Sequence, residues 1–301
     1  MSVSSESHLR AAPVADEWTA PRTGLARETW RRLLRSRGAV VGLVIVVGYV
    51  LLAAAAGVLA PYDPTGGSVL ARLQGPSQAH WLGTDELGRD ILSRLLYGAR
   101  VSLQIQLGAV VLALLVGVVW GLVTGYVGGW LDDVSMRVID VLLAFPSILL
   151  AISIVAVLGT GFYNVILAVA IASVPQFARL VRGVVLGLRE LEFVEAARAI
   201  GESDAAIMLR YILPGAVPPI VIQASLRMAT VLLAAAALNF LGLGVQPPTP
   251  EWGAMLSNAR DYMFTAPHVT TAPGLAITIV VIGFNLLGDG LRDALDPRLR
   301  Q

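Results

Sequence analysis

The sequence predicts an all-α membrane protein with six transmembrane helices. Of its 301 residues, 56% are hydrophobic and only 14% are charged, and the mean hydropathy is +0.72. A typical soluble domain carries about 25% charged residues. Apolar runs of about 20 residues, the length that crosses a bilayer, recur along the chain. We expect the spans at 38–60, 100–123, 134–158, 163–186, 214–240 and 272–291.

Arginine placement indicates how these spans are oriented. The chain has no lysine, and seven arginines precede the first span: Arg10, Arg22, Arg27, Arg31, Arg32, Arg35 and Arg37. The positive-inside rule therefore puts the N-terminus in the cytoplasm, and six spans return the C-terminus to the same side. We expect a cytoplasmic N-terminal arm at 1–37, a transmembrane domain at 100–291 and a cytoplasmic tail at 292–301.

Residues 61–99 form the largest predicted extracytoplasmic segment. It opens with the turn-rich PYDPTGG and continues with HWLGTDELGRDILSRLLYGAR. Its apolar residues, with Thr84 or Asp85 as the cap, predict a short helix on the outer membrane surface. Such a helix could contact an extracytoplasmic partner. The alternative, which the local charges favour, is an elbow held by arginine–carboxylate pairs.

The segment EAARAIGESDAAIMLRYILP, residues 195–214, predicts two short helices on the cytoplasmic side. Phe193, Ala196, Ala197 and Ile200 share the spacing of one helical stripe. Gly201 can adopt positive φ and end the first helix, and Ser203 is a favourable cap for the second. Pro214 should end that second helix and redirect the chain into the next span. An ordinary connecting helix would show the same shape.

The wording of this segment resembles the EAA loop of ABC importer permeases, which docks on an ATPase subunit. The match consists of Glu195, Ala196, Ala197 and Gly201, followed by Leu213 and Pro214. Tyr211 departs from the usual aliphatic residue. Three further stretches resemble the C-type subunit of the dipeptide, oligopeptide and nickel permease family: LGTDELGRD, LNFLGLGVQPPTPEWGAML (238–256) and GDGLRDALDPRLR (288–300).

This resemblance implies the transmembrane domain of a type I ABC importer in a bacterial cytoplasmic (inner) membrane, with its cytoplasmic coupling helices at about 189–213. It also implies a heterodimer with a homologous permease subunit, two ABC ATPase subunits and an extracytoplasmic solute-binding protein. The cargo would be peptides or related small solutes, with dipeptides, oligopeptides and nickel chelates left open. ATP and Mg would be held by the ATPase subunits, and this chain would bind no cofactor.

Several polar residues lie within the predicted spans, where polar groups tend to face protein or water. We expect Gln223, Arg227 and Asn239 as candidates for lining a translocation path. The alternative for each is a hydrogen bond between helices. The family often carries a glutamate where this chain has Ala235, which leaves Arg227 without that neighbour. Pro146 and Pro175 interrupt the backbone hydrogen bonding of two spans.

The residue types that the chain lacks exclude most enzymatic functions. A P-loop needs a lysine for the nucleotide phosphates, and there is none. The three histidines are far apart, no H-E-x-x-H motif occurs, and there is no cysteine, so we expect neither a metal site nor catalytic residues. No basic patch with interleaved aromatics suggests nucleic acid. The remaining alternatives are an ion-coupled secondary transporter and an intramembrane enzyme.

Overall fold

The computed structural model describes residues 23–295, and within them the chain is helical with connecting turns and forms no β-strand. A π-helical segment spans Ile207–Ile212, and 3-10 turns lie at Val69–Ala71 and Arg260–Tyr262. The predicted all-α fold class is confirmed. The helices are α1 Thr23–Arg35, α2 Arg37–Leu59, α3 Ile91–Val127, α4 Gly129–Ala144, α5 Ser147–Leu158, α6 Phe162–Leu188, α7 Glu192–Ala199, α8 Asp204–Ala206, α9 Leu213–Phe240, α10 Trp252–Ala259 and α11 Pro267–Leu295.

Five of the six predicted spans are long apolar helices. They are α2, α3, α6, the continuous α8–α9 unit and α11. The third predicted span, 134–158, is wrong as a single helix, because α4 and α5 meet at an angle of 94°. Pro146 causes this break, since its ring excludes Phe145 from the helical region and Phe145 is extended at φ −87° and ψ 136°. Pro175, in contrast, lies inside α6 without ending it.

The predicted short surface helix is wrong, because its residues belong to turns and to the start of α3. Asp90 is the N-cap of α3, and its carboxylate accepts a 2.8 Å hydrogen bond from the Ser93 backbone. Asp85 instead pairs with Arg89 at 2.7 Å and with Arg94 at 3.2 Å. The elbow held by arginine–carboxylate pairs is therefore the correct alternative.

The two ends of the described chain also differ from the predicted arm and tail. Residues 23–35 form helix α1, in which Leu33 is buried against Ala39 and Ala294. The rest of the predicted arm, residues 1–22, lies outside the described residues. At the other end, α11 extends to Leu295, and residues 296–301 of the predicted tail lie outside the described residues.

Helices α3 and α6 form the central pair of the bundle, and glycines bring their backbones together. Gly117, Gly121 and Gly125 recur every four residues on α3 and face α6. A Cβ on Gly121 would lie 2.4 Å from the Ala178 carbonyl oxygen. The glycine-rich stretch GVVWGLVTGYVGG therefore packs closely, as small residues do between membrane helices.

Candidate functional site

Between α6 and α9, the first short helix ends and the second begins as the sequence predicts. Gly201 adopts φ +83°, and the Glu202 N–H donates to the Ala197 carbonyl at 3.1 Å while the Gly201 N–H donates to the Arg198 carbonyl at 3.0 Å. This pair of bonds is a Schellman motif, which satisfies carbonyls at the end of α7. Ser203 caps α8 by accepting a hydrogen bond from the Ala206 backbone. We call residues 189–213, the predicted coupling helices, the coupling segment.

The coupling segment packs on its own chain through a different face from the predicted stripe. Val194 and Ala197 are buried against Ile207, Ile212 and the α6 residue Val185. Phe193, Ala196 and Ile200, which were expected to act together with Ala197, are instead exposed. The predicted stripe is divided between two faces, because α7 packs on the spans through Val194 and Ala197, which are three residues apart. A larger side chain at Ala197 would disturb this packing rather than an external contact.

The outward face of the coupling segment is apolar and uncovered in the described chain. Phe193 is 44% exposed and Ile200 is 76% exposed, and Leu191 and Leu209 of the same segment are exposed as well. The carboxylate-bearing residues Glu192 and Glu195 are exposed on the same short helix. Because the opposite face is already buried, this arrangement leaves a rigid apolar surface that is free to contact another molecule.

Pro214 does not redirect the chain, contrary to expectation. The helix runs without interruption from Asp204 to Phe240, with the π-helical segment Ile207–Ile212 directly before Pro214. In this segment the Leu213 N–H donates to the Met208 carbonyl, five residues earlier. The wider turn accommodates a proline that has no N–H to donate. The coupling segment is therefore continuous with the α9 span, and a displacement at one reaches the other.

A cluster of polar contacts joins the coupling segment to the end of α3. The Tyr126 hydroxyl donates to the Asp204 carboxylate at 2.6 Å, and the Arg198 guanidinium lies over the Tyr126 ring at 5.3 Å. This hydroxyl also holds the pKa of Arg198 above its ordinary value. No local pattern predicts these contacts, because Tyr126 and Asp204 are 78 residues apart in the chain.

Two arginines near the same end of α6 hold it to α3 and α4. Arg182 forms a bidentate pair with Asp132, both bonds at 2.5 Å. Arg189 donates to the Gly125 carbonyl at 2.9 Å. Together with the Tyr126 contact, these bonds hold the coupling segment and the end of α6 against α3 and α4. No pattern in the sequence identifies the partners of these arginines, because they lie 50 and 64 residues away along the chain.

The candidate path residues separate in the structure. Asn239 is 2% exposed, donates to the Ala235 carbonyl at 2.8 Å and accepts from the Val245 N–H at 2.5 Å. Its amide therefore stabilises the turn after α9, and we no longer expect it to line a path. Gln223 and Arg227 are half-buried on the same helix. Gln106 shows the alternative role, a hydrogen bond between helices, since it accepts from the Tyr49 hydroxyl and donates to the Met228 carbonyl.

Arg227 lines a small open cavity of about 30 Å³ between α5, α6 and α9. The cavity is also lined by Ser147, at the start of α5, by Ser173 on α6 and by Thr230 on α9. Among the described residues, none forms a hydrogen bond or ion pair with the Arg227 guanidinium. Four of the nine residues that line this cavity carry polar side chains, which favours contact with a polar group at this place in the bundle.

Sequence analysis missed Glu251, which is fully buried at the N-cap of α10. Its carboxylate accepts hydrogen bonds from Ser102 at 3.1 Å and from the Ala254 N–H at 2.9 Å. Burial raises the pKa of Glu251 to about 7. The neighbouring Trp252 is buried as well, donates to the Leu95 carbonyl and packs on Tyr49.

Within residues 23–295, no group of three or more histidine, aspartate or glutamate residues is placed to hold a metal ion. Two other features of the described residues could bind another molecule. One is the apolar outward face of the coupling segment, and the other is the polar cavity around Arg227.

Family models cover most of the chain. Residues 117–301 match the model described as binding-protein-dependent transport system inner membrane component. Residues 24–76 match the N-terminal TM domain of oligopeptide transport permease C. The chain belongs to this family of ABC transporter permeases. The predicted resemblance to a C-type permease subunit is confirmed.

Two relatives and one solved structure agree with this assignment. The glutathione transport system permease protein GsiD of Pectobacterium atrosepticum is 52% identical over 275 residues, 91% of each chain. The dipeptide transport system permease protein DppC of Alkalihalophilus pseudofirmus is 48% identical over 288 residues, 96% of this chain and 94% of that protein. An inward-facing structure of the MetNI methionine ABC transporter matches with TM-score 0.55 and 20% identity, over 68% of this chain and 98% of that one.

These findings establish the chain as a multi-pass transmembrane permease subunit of an ABC importer. The likeness to MetNI shows the fold of a type I importer permease, as predicted. The coupling segment and the Arg227 cavity both fall within residues 117–301, the part that matches the inner membrane component.

Proposed function

We propose that this permease subunit imports peptides or related small solutes and that ATPase subunits drive it through the coupling segment. The relatives named for glutathione and dipeptide transport support peptides as the cargo. ATP and Mg are held by two ABC ATPase subunits, a homologous permease completes the pathway, and an extracytoplasmic protein delivers the solute. This chain supplies no catalytic residue or cofactor. The membrane is the bacterial inner membrane, with both termini in the cytoplasm.

The observation that carries this proposal is the outward apolar face of the coupling segment. Phe193 and Ile200 are exposed while Val194 and Ala197 fix the helix to the bundle behind them. Motion of a docked ATPase then passes along the continuous helix from Asp204 into the α9 span, and through Tyr126 into α3. Alternating access follows when these spans change their packing between two arrangements.

Replacing Ile200 with serine tests the docking face. Ile200 makes no buried contact with its own chain, so Ile200→Ser should leave folding intact. We expect weaker co-purification of the ATPase subunits and loss of most ATP-driven uptake of dialanine in proteoliposomes, because contacts buried at the centre of an interface dominate its affinity.

Phe264→Ser is the matched control, since Phe264 is 92% exposed near the opposite ends of the spans. It should leave ATPase co-purification unchanged. Wild-type ATPase binding by Ile200→Ser would contradict the docking face. Dialanine uptake that continues without ATP while an ion gradient persists would favour the alternative of a secondary transporter.

A further inference from the structure

Arg227 is a charged residue within a span, and no carboxylate in the described part of the chain forms an ion pair with it. Its guanidinium has no hydrogen-bonding or ionic partner among residues 23–295. Of the helices that pack on α9, α3, α5, α6 and α10 contain no acidic residue, and α11 contains Asp289 and Asp293, neither of which pairs with Arg227. On α4, Asp132 pairs with Arg182 and Asp140 with Arg179. A charge at membrane depth is costly unless it meets water or an opposite charge. Arg227 is therefore suited to an anion that comes from outside the chain.

The cavity beside Arg227 provides further hydrogen-bond donors. The Ser147 hydroxyl is exposed and has no partner in the described part of the chain. Ser147 also begins α5, whose N-cap residue Pro146 offers no side chain to the free backbone N–H groups of the first turn. The hydroxyls of Ser173 and Thr230 donate to backbone carbonyls of their own helices. The side-chain donors of the cavity without a partner in the described chain are therefore the Arg227 guanidinium on α9 and the Ser147 hydroxyl on α5.

We propose that Arg227 and Ser147 form a binding site for a carboxylate group of the solute on its way through the membrane. A guanidinium binds a planar carboxylate through two parallel hydrogen bonds, and Arg227 and Ser147 line the same open cavity, which gives both donors access to a group that enters it. This proposal rests on the transport of peptide-like solutes proposed above. A carboxylate of the second permease subunit would have the same chemistry, and the following experiments separate the two sources.

The first experiment measures the electrostatic preference of the cavity without relying on any cargo. The chain has no cysteine, so Thr230→Cys places one thiol in the cavity of the assembled transporter. An anionic and a cationic methanethiosulfonate are each reacted with this thiol. The rate of each reaction is followed by the increase in the mass of this chain, and the two rates are compared. We expect the anionic reagent to be favoured, and Arg227→Gln to lower that preference about tenfold, as expected for unit charges close together in a partly aqueous site.

Arg137→Gln is the matched control, because Arg137 is an exposed arginine on α4 outside the cavity. It should leave the preference unchanged. An equal preference in the wild type and in Arg227→Gln would overturn the site. That result is expected if a carboxylate of the second permease subunit already neutralises Arg227.

The second experiment compares uptake of dialanine with uptake of its amide, with the solute-binding protein saturated by each. Arg227→Gln should lower dialanine uptake at least about tenfold relative to the amide, since a bidentate charged hydrogen bond is lost. Arg227→Lys should retain part of the preference. An equal loss for both probes would show a structural role and overturn the proposal. If the wild type imports neither probe, the proposed cargo is wrong, and the thiol measurement still decides whether the cavity attracts anions.

Discussion

At the scale of single residues, Glu251 shows how a carboxylate can be held inside a membrane protein. It is fully buried, yet both carboxylate oxygens accept hydrogen bonds, one from Ser102 and one from the N–H of Ala254. These bonds join α3 to the first turn of α10. Burial nevertheless disfavours the charged form, which is why the pKa of Glu251 rises from its ordinary 4.5 to about 7.

This raised pKa predicts a pH-dependent stability. The folded protein holds the Glu251 proton more tightly than the unfolded chain does, so the contribution to the free energy of unfolding is complete below pH 4.5 and is lost as the pH rises to about 7. The loss is on the order of 3 kcal/mol. Glu251→Gln keeps an acceptor for the Ala254 N–H and cannot ionise. It should remove this part of the fall in Tm between pH 5 and pH 8.

The measurement is the thermal unfolding of the purified transporter by tryptophan fluorescence at several pH values. Asp261→Asn is the matched control, since Asp261 is 76% exposed in the same region and should leave the slope unchanged. If Glu251→Gln shows the same pH slope as the wild type, the buried carboxyl group does not govern stability in this range.

At the scale of the elements, the α3–α6 pair depends on glycines that permit backbone contact. A Cβ on Gly121 would lie 2.4 Å from one α6 backbone atom and 2.9 Å from the Arg182 nitrogen. Gly183, on α6 itself, has nothing within 4 Å of its Cβ position. The same substitution should therefore have opposite consequences at the two positions.

We predict that Gly121→Ala destabilises the transporter by about 1 to 3 kcal/mol, because overpacking forces two backbones apart. Gly183→Ala should be neutral or slightly stabilising, since alanine is the better helix former. Tm and the yield of folded protein in detergent check both. Equal Tm values for the two variants would show that the α3–α6 interface accommodates a Cβ at Gly121 without a loss of stability.

The link between α3 and the coupling segment gives a second prediction at this scale. Tyr126→Phe removes the hydroxyl that donates to Asp204 at 2.6 Å. Loss of a hydrogen bond to a charged group costs about 1.5 to 3 kcal/mol, so local opening of residues 192–206 should become more frequent. Amide hydrogen exchange of the purified complex should rise there and stay unchanged in α11.

Tyr163→Phe serves as the comparison, since Tyr163 is 75% exposed and its hydroxyl has no hydrogen-bonding partner in the described chain. If Tyr126→Phe and Tyr163→Phe show the same exchange in residues 192–206, the Tyr126 contact does not restrain the coupling segment.

At the scale of the whole molecule, the topology follows from the order of the helices. Five continuous spans and the bent α4–α5 pair, counted together, place the loop before α3 and the coupling segment on opposite sides. This count requires the bent pair to act as one crossing. A labelling experiment distinguishes it from a chain in which the pair enters and leaves on the same side.

Single cysteines report the sidedness without background, because the chain contains none. Leu70→Cys should react with an impermeant maleimide only from outside the cell, since Leu70 lies 95% exposed before α3. Ile200→Cys should react only in inside-out vesicles. Labelling of both from the same side would show that the α4–α5 pair does not cross the membrane.

The sequence by itself determined the fold class, five of the spans, the end of α7 at Gly201 and the start of α8 at Ser203. Apolar length, the positive φ that Gly201 permits and the capping by Ser203 are local properties, so they can be read from neighbouring residues. Only the tertiary structure decided that Pro146 bends a span by 94° while Pro175 and Pro214 do not end their helices. The difference depends on whether the surrounding backbone can accommodate the missing N–H.

The tertiary structure alone also decided which side chains face inward. Val194 rather than Phe193 is buried, Asn239 closes a turn, Glu251 is enclosed, and Arg227 opens onto a polar cavity. Each of these outcomes depends on contacts between residues far apart in the chain. Periodicity identifies the faces of a helix, but only the packing of the other helices determines which face is covered.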